Sequence, residues 1–570
     1  MYIPPNIKNI PLYAFYGCSG FKGKLDISSI IVIDEHAFHG CSGFTDQLSI
    51  SSVRIIGDGA FIGCSGFTSL EFPENISIIG NNIFQDCYGF KGNLSIPQTV
   101  QSIGDYAFCC CSNFSCSLII PEEVTSIGDG AFYNCSNFFG QLTIPDSVTS
   151  IGDFAFCNCG GFNDSLEIGN NVVTIGRKTF YHCHNLCKKL TIPNSVVFIG
   201  DETFAKCYGI TELSFSNSLT IISNGLFEDC ISLKKIDPIP LYVSLIGDRA
   251  FCNCSNIGGS IVIKDNVTSI GNYAFYRCES VKDSLTLGDN ITMIGEYSFA
   301  FCSKLTSTLN LPEKLQSIGD RAFYNCTNFI GILTIRNSVT TIGDGAFSNC
   351  FGLQYLSLSE KLISISSSLF ENCYGFQGTL KIPDSVTSIG DRAFYNCSHF
   401  NGSIKIPKKV VSIGNSSFYN CEGFNGQLTF ASKIKTIGEY AFYNCSSLSG
   451  KLELPKSLKM IGNHSFSYVY FKSIKYLGRK PPKCYKDVDF QTNKKIDAVF
   501  NYKGKSFCGY KVKKEKLPIF GIVLGCISGL ALICLCVLWI VKYINKNRKK
   551  NADLSNDPLN KDFGDERSEM

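Results

Sequence analysis

Tryptophan is all but missing from this chain: Trp539 stands alone among 570 residues, with only four methionines and six histidines. Excess charge of either sign is missing too. The formal net charge is +4, which leaves no electrostatic footprint for nucleic acid. No Walker motif, nucleophile elbow or His-Glu-x-x-His is present. Gly128-Asp129-Gly130 and Gly343-Asp344-Gly345 begin like a nucleotide fingerprint but lack the third glycine, so they read as bends. No catalytic residue, metal or cofactor is expected. Long apolar runs are absent except for one near the C-terminus, and no apolar signal core follows Met1.

What the chain has in abundance is repetition. Twenty phenylalanines, from Phe15 to Phe466, recur at steps of 23 or 24 residues, and a cysteine follows each of the first nineteen by three residues, from Cys18 to Cys445. The twentieth unit has Val469 instead. A fixed period of this length marks a solenoid, in which each coil touches only its neighbours.

One unit shows the physics. Leu142-Thr143-Ile144 alternates apolar and polar, as a short strand with one buried face does. Pro145-Asp146-Ser147 supplies turn chemistry, and Val148 and Ile151 point back inward. Gly152 is expected at a bend with positive φ, and Asp153 to Asn158 are expected to close one helical or 3₁₀ turn. Stacked coils then place the strands in a parallel sheet at about 4.8 Å spacing, about 90 Å in all. The Cys-to-strand interval shortens by one residue at Leu70, Leu213 and Leu356, while Ser223 and Ser366 replace the bend glycine. A slight kink is expected at these two serines.

The cysteine column, which includes Cys135, Cys159, Cys183, Cys326 and Cys397, has two readings. Free cysteine packs as a small hydrophobe, giving a ladder of buried thiols. Disulfides between coils are the alternative, disfavoured because about 4.8 Å between coils exceeds the Cβ separation of a bridge. His182-Cys183-His184 is no metal site on this reading, since Cys183 faces inward and its neighbours outward.

The repeated unit, nearly whole from Leu380-Lys381-Ile382-Pro383 to Phe394-Tyr395-Asn396-Cys397, resembles the leucine-rich repeats of the BspA-like class. That class was first known in treponeme-type bacterial surface antigens and is expanded in mucosal protists such as trichomonads. The resemblance covers about residues 1–470. It implies a leucine-rich-repeat solenoid of about 20 coils, a non-enzymatic surface role, and adhesion to host-cell, matrix or microbial ligands. A tail-anchored intracellular scaffold and a variable surface antigen in immune evasion are the alternatives.

The expected organisation is a solenoid over 1–469, a cap and juxtamembrane segment over 470–516, a single transmembrane helix over 517–541 and a disordered tail over 542–570. The segment around Ile474 to Gly509 also resembles the cap that closes such arrays. Cys484 and Cys508 could pair there if the cap faces an oxidising space; otherwise they are two free thiols. The uncharged run from Pro518 to Val541 is long enough to span a bilayer, and Gly521, Gly525 and Gly529 could let two such helices associate. Lys542, Lys546, Arg548, Lys549 and Lys550 argue for a cytoplasmic tail, while six lysines from Lys503 to Lys516 oppose them. The expected location is the plasma membrane, single-pass, with the solenoid outside and the tail free to meet cytosolic adaptors. The binding face is expected on the outward strand-centre column, with Glu71, Thr143, Glu167, Thr191, Thr286, Thr334, Lys381, Lys405 and Thr429. Outward Tyr133, Tyr276, Tyr324, Tyr395, Tyr419 and Tyr443 mark a rival face.

Overall fold

The computed structural model describes residues 1–485, 487–491, 495–499, 502–515 and 533–546. Residues 1–485 wind into a parallel β-solenoid of about 20 turns. Leu142, Ile144, Val148, Ile151, Ala155, Phe156, Cys159 and Phe162 all turn inward and are at most 2% exposed. No coil could bury that set alone, but each coil covers the next. Phe156 lies 5.4 Å from Phe132 and 5.5 Å from Phe180, with the rings nearly parallel, so the phenylalanine ruler is a continuous stack through the core.

Three ladders of hydrogen bonds run along the stack. The longest is built from two-residue strands just before the bend glycine, such as Ser126–Ile127, Ser150–Ile151 and Thr174–Ile175. The Leu-x-Ile segment, expected to carry one continuous sheet, pairs only in patches. Gly140–Ile144 with Phe162–Ile168 is the longest of these.

The third ladder corrects the expected helical turn. Phe154 and Asn158 are left-handed, with φ of 58° and 61°. A helix would direct every N–H along its own axis; here alternate N–H groups face the next coil instead. Phe154, Phe156 and Asn158 donate to the carbonyls of Arg177, Thr179 and Tyr181 at 2.7, 2.9 and 2.8 Å. Two tight turns result, and among the described residues only 533–546 are helical.

Gly152 is a second correction, since it is not among the glycines with positive φ. It is required by close approach: a Cβ there would lie 2.5 Å from Asp129 Oδ1 and 2.6 Å from the Asp129 nitrogen. The Asp129 carboxylate in turn accepts the N–H of Asp153 at 2.7 Å.

The Ser-Ile ladder divides into three sheets of six strands, preceded by one of three. The six-stranded sheets begin at Ile78–Ile79, Ile221–Ile222 and Ser364–Ile365, so that each starts 143 residues after the last (221 less 78, 364 less 221). The breaks fall where the sequence loses a residue, beside Leu70, Leu213 and Leu356. At the latter two the bend glycine is serine, and the hydroxyls of Ser223 and Ser366 donate to the carbonyls of Ile199 and Ile342. Elsewhere the glycine N–H takes that carbonyl, as Gly200 does from Ile175 at 2.8 Å. Six coils thus make a block, and seams separate the blocks.

Parallel pairing continues past residue 469. Lys451–Leu454, Ser473–Tyr476, Ile496–Ala498 and Tyr510–Lys514 form one parallel run, closed by the antiparallel pairing of Ser506–Phe507 with Tyr510–Lys514. Phe490 stacks on Phe466 at 5.1 Å and prolongs the ruler by one ring. Cys484 and Cys508 are joined by a disulfide, their Cα atoms 5.3 Å apart.

Of the expected span over 517–541, residues 517–532 lie outside the described residues, as do Gly521, Gly525 and Gly529. No helix among the described residues is long and apolar enough to cross a membrane. Lys542 and Lys546 sit on the helix 533–546, while Arg548, Lys549 and Lys550 lie outside the described residues.

Candidate recognition face

The strand-centre column forms where the patches of Leu-x-Ile pairing hold neighbouring coils in register. Thr143 faces Glu167, Thr191 faces Ser214, Thr334 faces Ser357, and Lys405 faces Thr429. All nine expected face residues are exposed. Their side chains also touch between coils. The Thr143 hydroxyl donates to Glu167 at 3.5 Å, Gln47 reaches Glu71 at 3.3 Å, and Lys381 pairs with Glu360 at 2.5 Å. These exposed pairs are screened by water and add little to stability. Their effect is to lay polar groups at regular spacing over a flat sheet.

The tyrosine face lies on the left-handed turns. Tyr395, Tyr419 and Tyr443 stack at 4.8 and 4.6 Å, one ring per coil. Reading the sequence missed the residues that sit between these tyrosines at the left-handed positions: Phe154, Tyr297, Arg321 and Tyr440. Their signal was weak, because that position changes identity from coil to coil. In the middle block Tyr276, Tyr297, Phe301 and Tyr324 line a cleft of about 480 Å³ with Arg321 and Glu371 on its rim.

The ladder cysteines are inward and free, and Cys135, Cys159, Cys183, Cys326 and Cys397 are all buried. Each of these thiols donates to the phenylalanine carbonyl of the preceding coil at 3.0 or 3.1 Å, as Cys183 does to Phe156. Burial pushes the Cys350 thiol up to about 12, and Cys159 is held well above the ordinary thiol range for the same reason. These thiols are neutral and shielded, so they make packing, not chemistry.

His182 and His184 approach each other, ring centroids 4.0 Å apart, but Cys183 turns away from them into the core. The His182 Nδ1 pairs with Asn158 at 3.1 Å instead. Among the described residues no group of three metal-ligating side chains converges.

The BspA type leucine rich repeat region model matches residues 1–91, 91–164, 137–258, 244–377 and 376–480, well over half the chain. The chain belongs to this family. A BspA-type array accounts for both the coil length and the buried layer described above, and the match indicates no catalytic family. No curated protein matches the sequence. Among solved structures, a leucine-rich repeat protein from Bacteroides ovatus is 24% identical, covering 73% of this chain and 88% of that one at a TM-score of 0.44. A leucine rich cell surface protein from Faecalibacterium prausnitzii is also 24% identical, covering 66% and 88% at 0.31. The T. pallidum leucine rich repeat protein is 27% identical over 33% of this chain and 74% of that one, at 0.23.

Proposed function

We propose that this BspA-type chain is a membrane-anchored surface recognition protein, with the solenoid outside the cell and a short tail inside. The observation that carries the reading is the exposed strand-centre column, which spreads recognition over many coils in register. Many weak polar contacts on one rigid array bind by avidity, without an enclosed pocket. The bridged Cys484 and Cys508 suit an oxidising space, and they precede the apolar run from Pro518 to Val541, the proposed span. The partner is a host-cell or matrix protein or glycan, and the role is adhesion.

Protease treatment of intact cells tests this, with separate probes for the solenoid and the tail. Loss of the solenoid with survival of a tail fragment is the expected result. Survival of both until detergent is added overturns the surface placement and favours an intracellular scaffold.

A further inference from the structure

The left-handed turns carry the longer period of the blocks as well as the shorter one of the coils. Tyr133, Phe154, Lys178, Tyr181 and Glu228 correspond, 143 positions on, to Tyr276, Tyr297, Arg321, Tyr324 and Glu371 (276 less 133, and likewise for each). The same step reaches Tyr419, Tyr440 and His464 in the third block. The coil repeat alone does not demand this. Of the five coils between Phe154 and Tyr297, four hold Lys178, Glu202, Gly225 and Arg249 at that position and only the last, with Tyr273, holds an aromatic.

The contacts recur along with the residues. Tyr133 meets Phe154 edge-on at 6.5 Å, Tyr276 meets Tyr297 edge-on at 6.1 Å, and Tyr419 meets Tyr440 at 6.4 Å and a tilt of 56°. Arg321 lies over Tyr297 at 5.5 Å and its counterpart His464 stacks on Tyr440 at 5.1 Å, while in the first block the neighbouring Arg177, not Lys178, lies over Phe154 at 4.9 Å. Just past the seams at Ser223 and Ser366, an arginine from the next coil holds the rim carboxylate, Arg249 on Glu228 and Arg392 on Glu371.

We propose that the cleft lined by Tyr276, Tyr297 and Tyr324, together with the ring pairs at the same step in the other two blocks, forms subsites for a neutral linear polysaccharide, with one sugar ring seated at each. This rests on the reading of the solenoid as a recognition surface and names its ligand class. A pyranose ring presents a C–H face that packs on an aromatic ring and a girdle of hydroxyls that needs donors and acceptors at the rim. Tyr297 itself lies between Tyr273 at 4.9 Å and Arg321, so the half-buried rings of Tyr276, Phe301 and Tyr324, edged by Arg321, Glu371 and Asn349, offer both in one cleft of about 480 Å³, within the usual range for ligand pockets. The lining of the middle cleft carries one cation, Arg321, and one acid, Glu371, and in the first block Lys178 pairs with Glu202 at 3.2 Å, so charge of neither sign dominates the lining. The ring pairs lie six coils apart, about 29 Å along the stack at ordinary strand spacing, so only a polymer engages more than one. Short oligosaccharides therefore bind weakly and polymers bind with avidity.

The test uses the full-length chain in detergent micelles, immobilised and exposed to maltotriose, laminaritriose and chitotriose and to the polymers amylose, laminarin and glycol chitin. At least one polymer is expected to bind at least about a hundredfold more tightly than its trisaccharide. Tyr276→Ala with Tyr324→Ala should weaken that polymer tenfold or more, and adding Tyr133→Ala with Tyr181→Ala should bring it to the trisaccharide level. Should an alanine variant melt early, Arg321→Gln probes the same rim without emptying the ring positions, and it should weaken binding. Failure of every polymer to bind overturns the inference, as does binding that the cleft variants leave unchanged. Protease shaving of cells is independent of these readouts, so exposed coils that bind no sugar would sink this inference alone.

Discussion

The thiol of Cys159 donates a hydrogen bond to the carbonyl oxygen of Phe132, one coil back, at 3.0 Å. That carbonyl also accepts the N–H of Cys135 at 3.2 Å, so losing the thiol removes one of its two bonds and leaves a small cavity in the core. Cys159→Ala should destabilise the array by about 1–3 kcal/mol in denaturant unfolding. Cys159→Ser, which keeps a donor in place, should recover part of the loss. If alanine proves as stable as cysteine, the hydrogen bond contributes nothing.

The same burial governs reactivity. Cys18 and Cys110 are partly exposed, whereas Cys159 and Cys183 are fully covered and held far above the ordinary thiol range by burial. Peptide mapping after mild thiol labelling of the folded protein should find Cys18 and Cys110 modified and Cys159 and Cys183 untouched. Equal labelling would mean that the coils open readily.

Glycines at two places should respond differently. Gly152 has the backbone of Asp129 where its Cβ would go, while Gly92 has φ of +72° and nothing within 4 Å. Gly152→Asn should cost about 3 kcal/mol or more through overpacking. Gly92→Asn should cost about 1 kcal/mol, because asparagine tolerates the left-handed region. Thermal melts of the two variants decide the matter, and a reversed order would overturn the close-approach account.

Glu228 and Glu371 occupy equivalent places in successive blocks yet shift in opposite directions. Burial raises Glu228 despite Arg249. Burial would raise Glu371 too, but hydrogen bonds from Arg392 and Ser368 outweigh it and hold it below the usual range. The stabilisation by Glu371 is present above the ordinary glutamate value and lost as pH falls through the depressed one. Glu371→Gln should therefore lower the melting temperature near neutrality and cease to matter in strong acid. Glu228 contributes below the ordinary value, and that contribution is lost as pH rises through the raised one, so Glu228→Gln should be neutral or stabilising near neutrality. Matching pH profiles for the two variants would contradict the assignment.

The bridge between Cys484 and Cys508 closes a loop of 24 residues in the cap. Replacing both with serine should cost the cap about 3 kcal/mol and speed its cleavage by added protease, leaving earlier coils intact. Finding both thiols free by mapping under non-reducing conditions would refute the pairing.

The core was legible in the sequence because it is written as a period. The places held by Phe156, Cys159 and Ile151 face inward from the second coil on, and an inward residue tolerates little change. The Ser-Ile strand was missed for the opposite reason. Ser150 and Ile151 are too short a run to alternate, and their pairing comes from neighbouring coils, not from local pattern. The left-handed turn at Phe154 and Asn158 was read as helical because both conformations place Ala155, Phe156 and Cys159 inward. The exposed strand-centre residues were legible from alternation alone. The aromatic clefts were not, since their period is six coils and only the lost residues at Leu70, Leu213 and Leu356 hinted at it.

The seams at Ser223 and Ser366 have a mechanical meaning. Within a block, stretching the array must break the Ser-Ile bonds, the turn bonds and the core stack together. At a seam the Ser-Ile ladder is already interrupted, and a serine hydroxyl stands in for one backbone contact. A molecule gripped at its two ends would part first at the seams, lengthening in steps of whole blocks. A tether built this way yields under shear while its remaining blocks keep their grip.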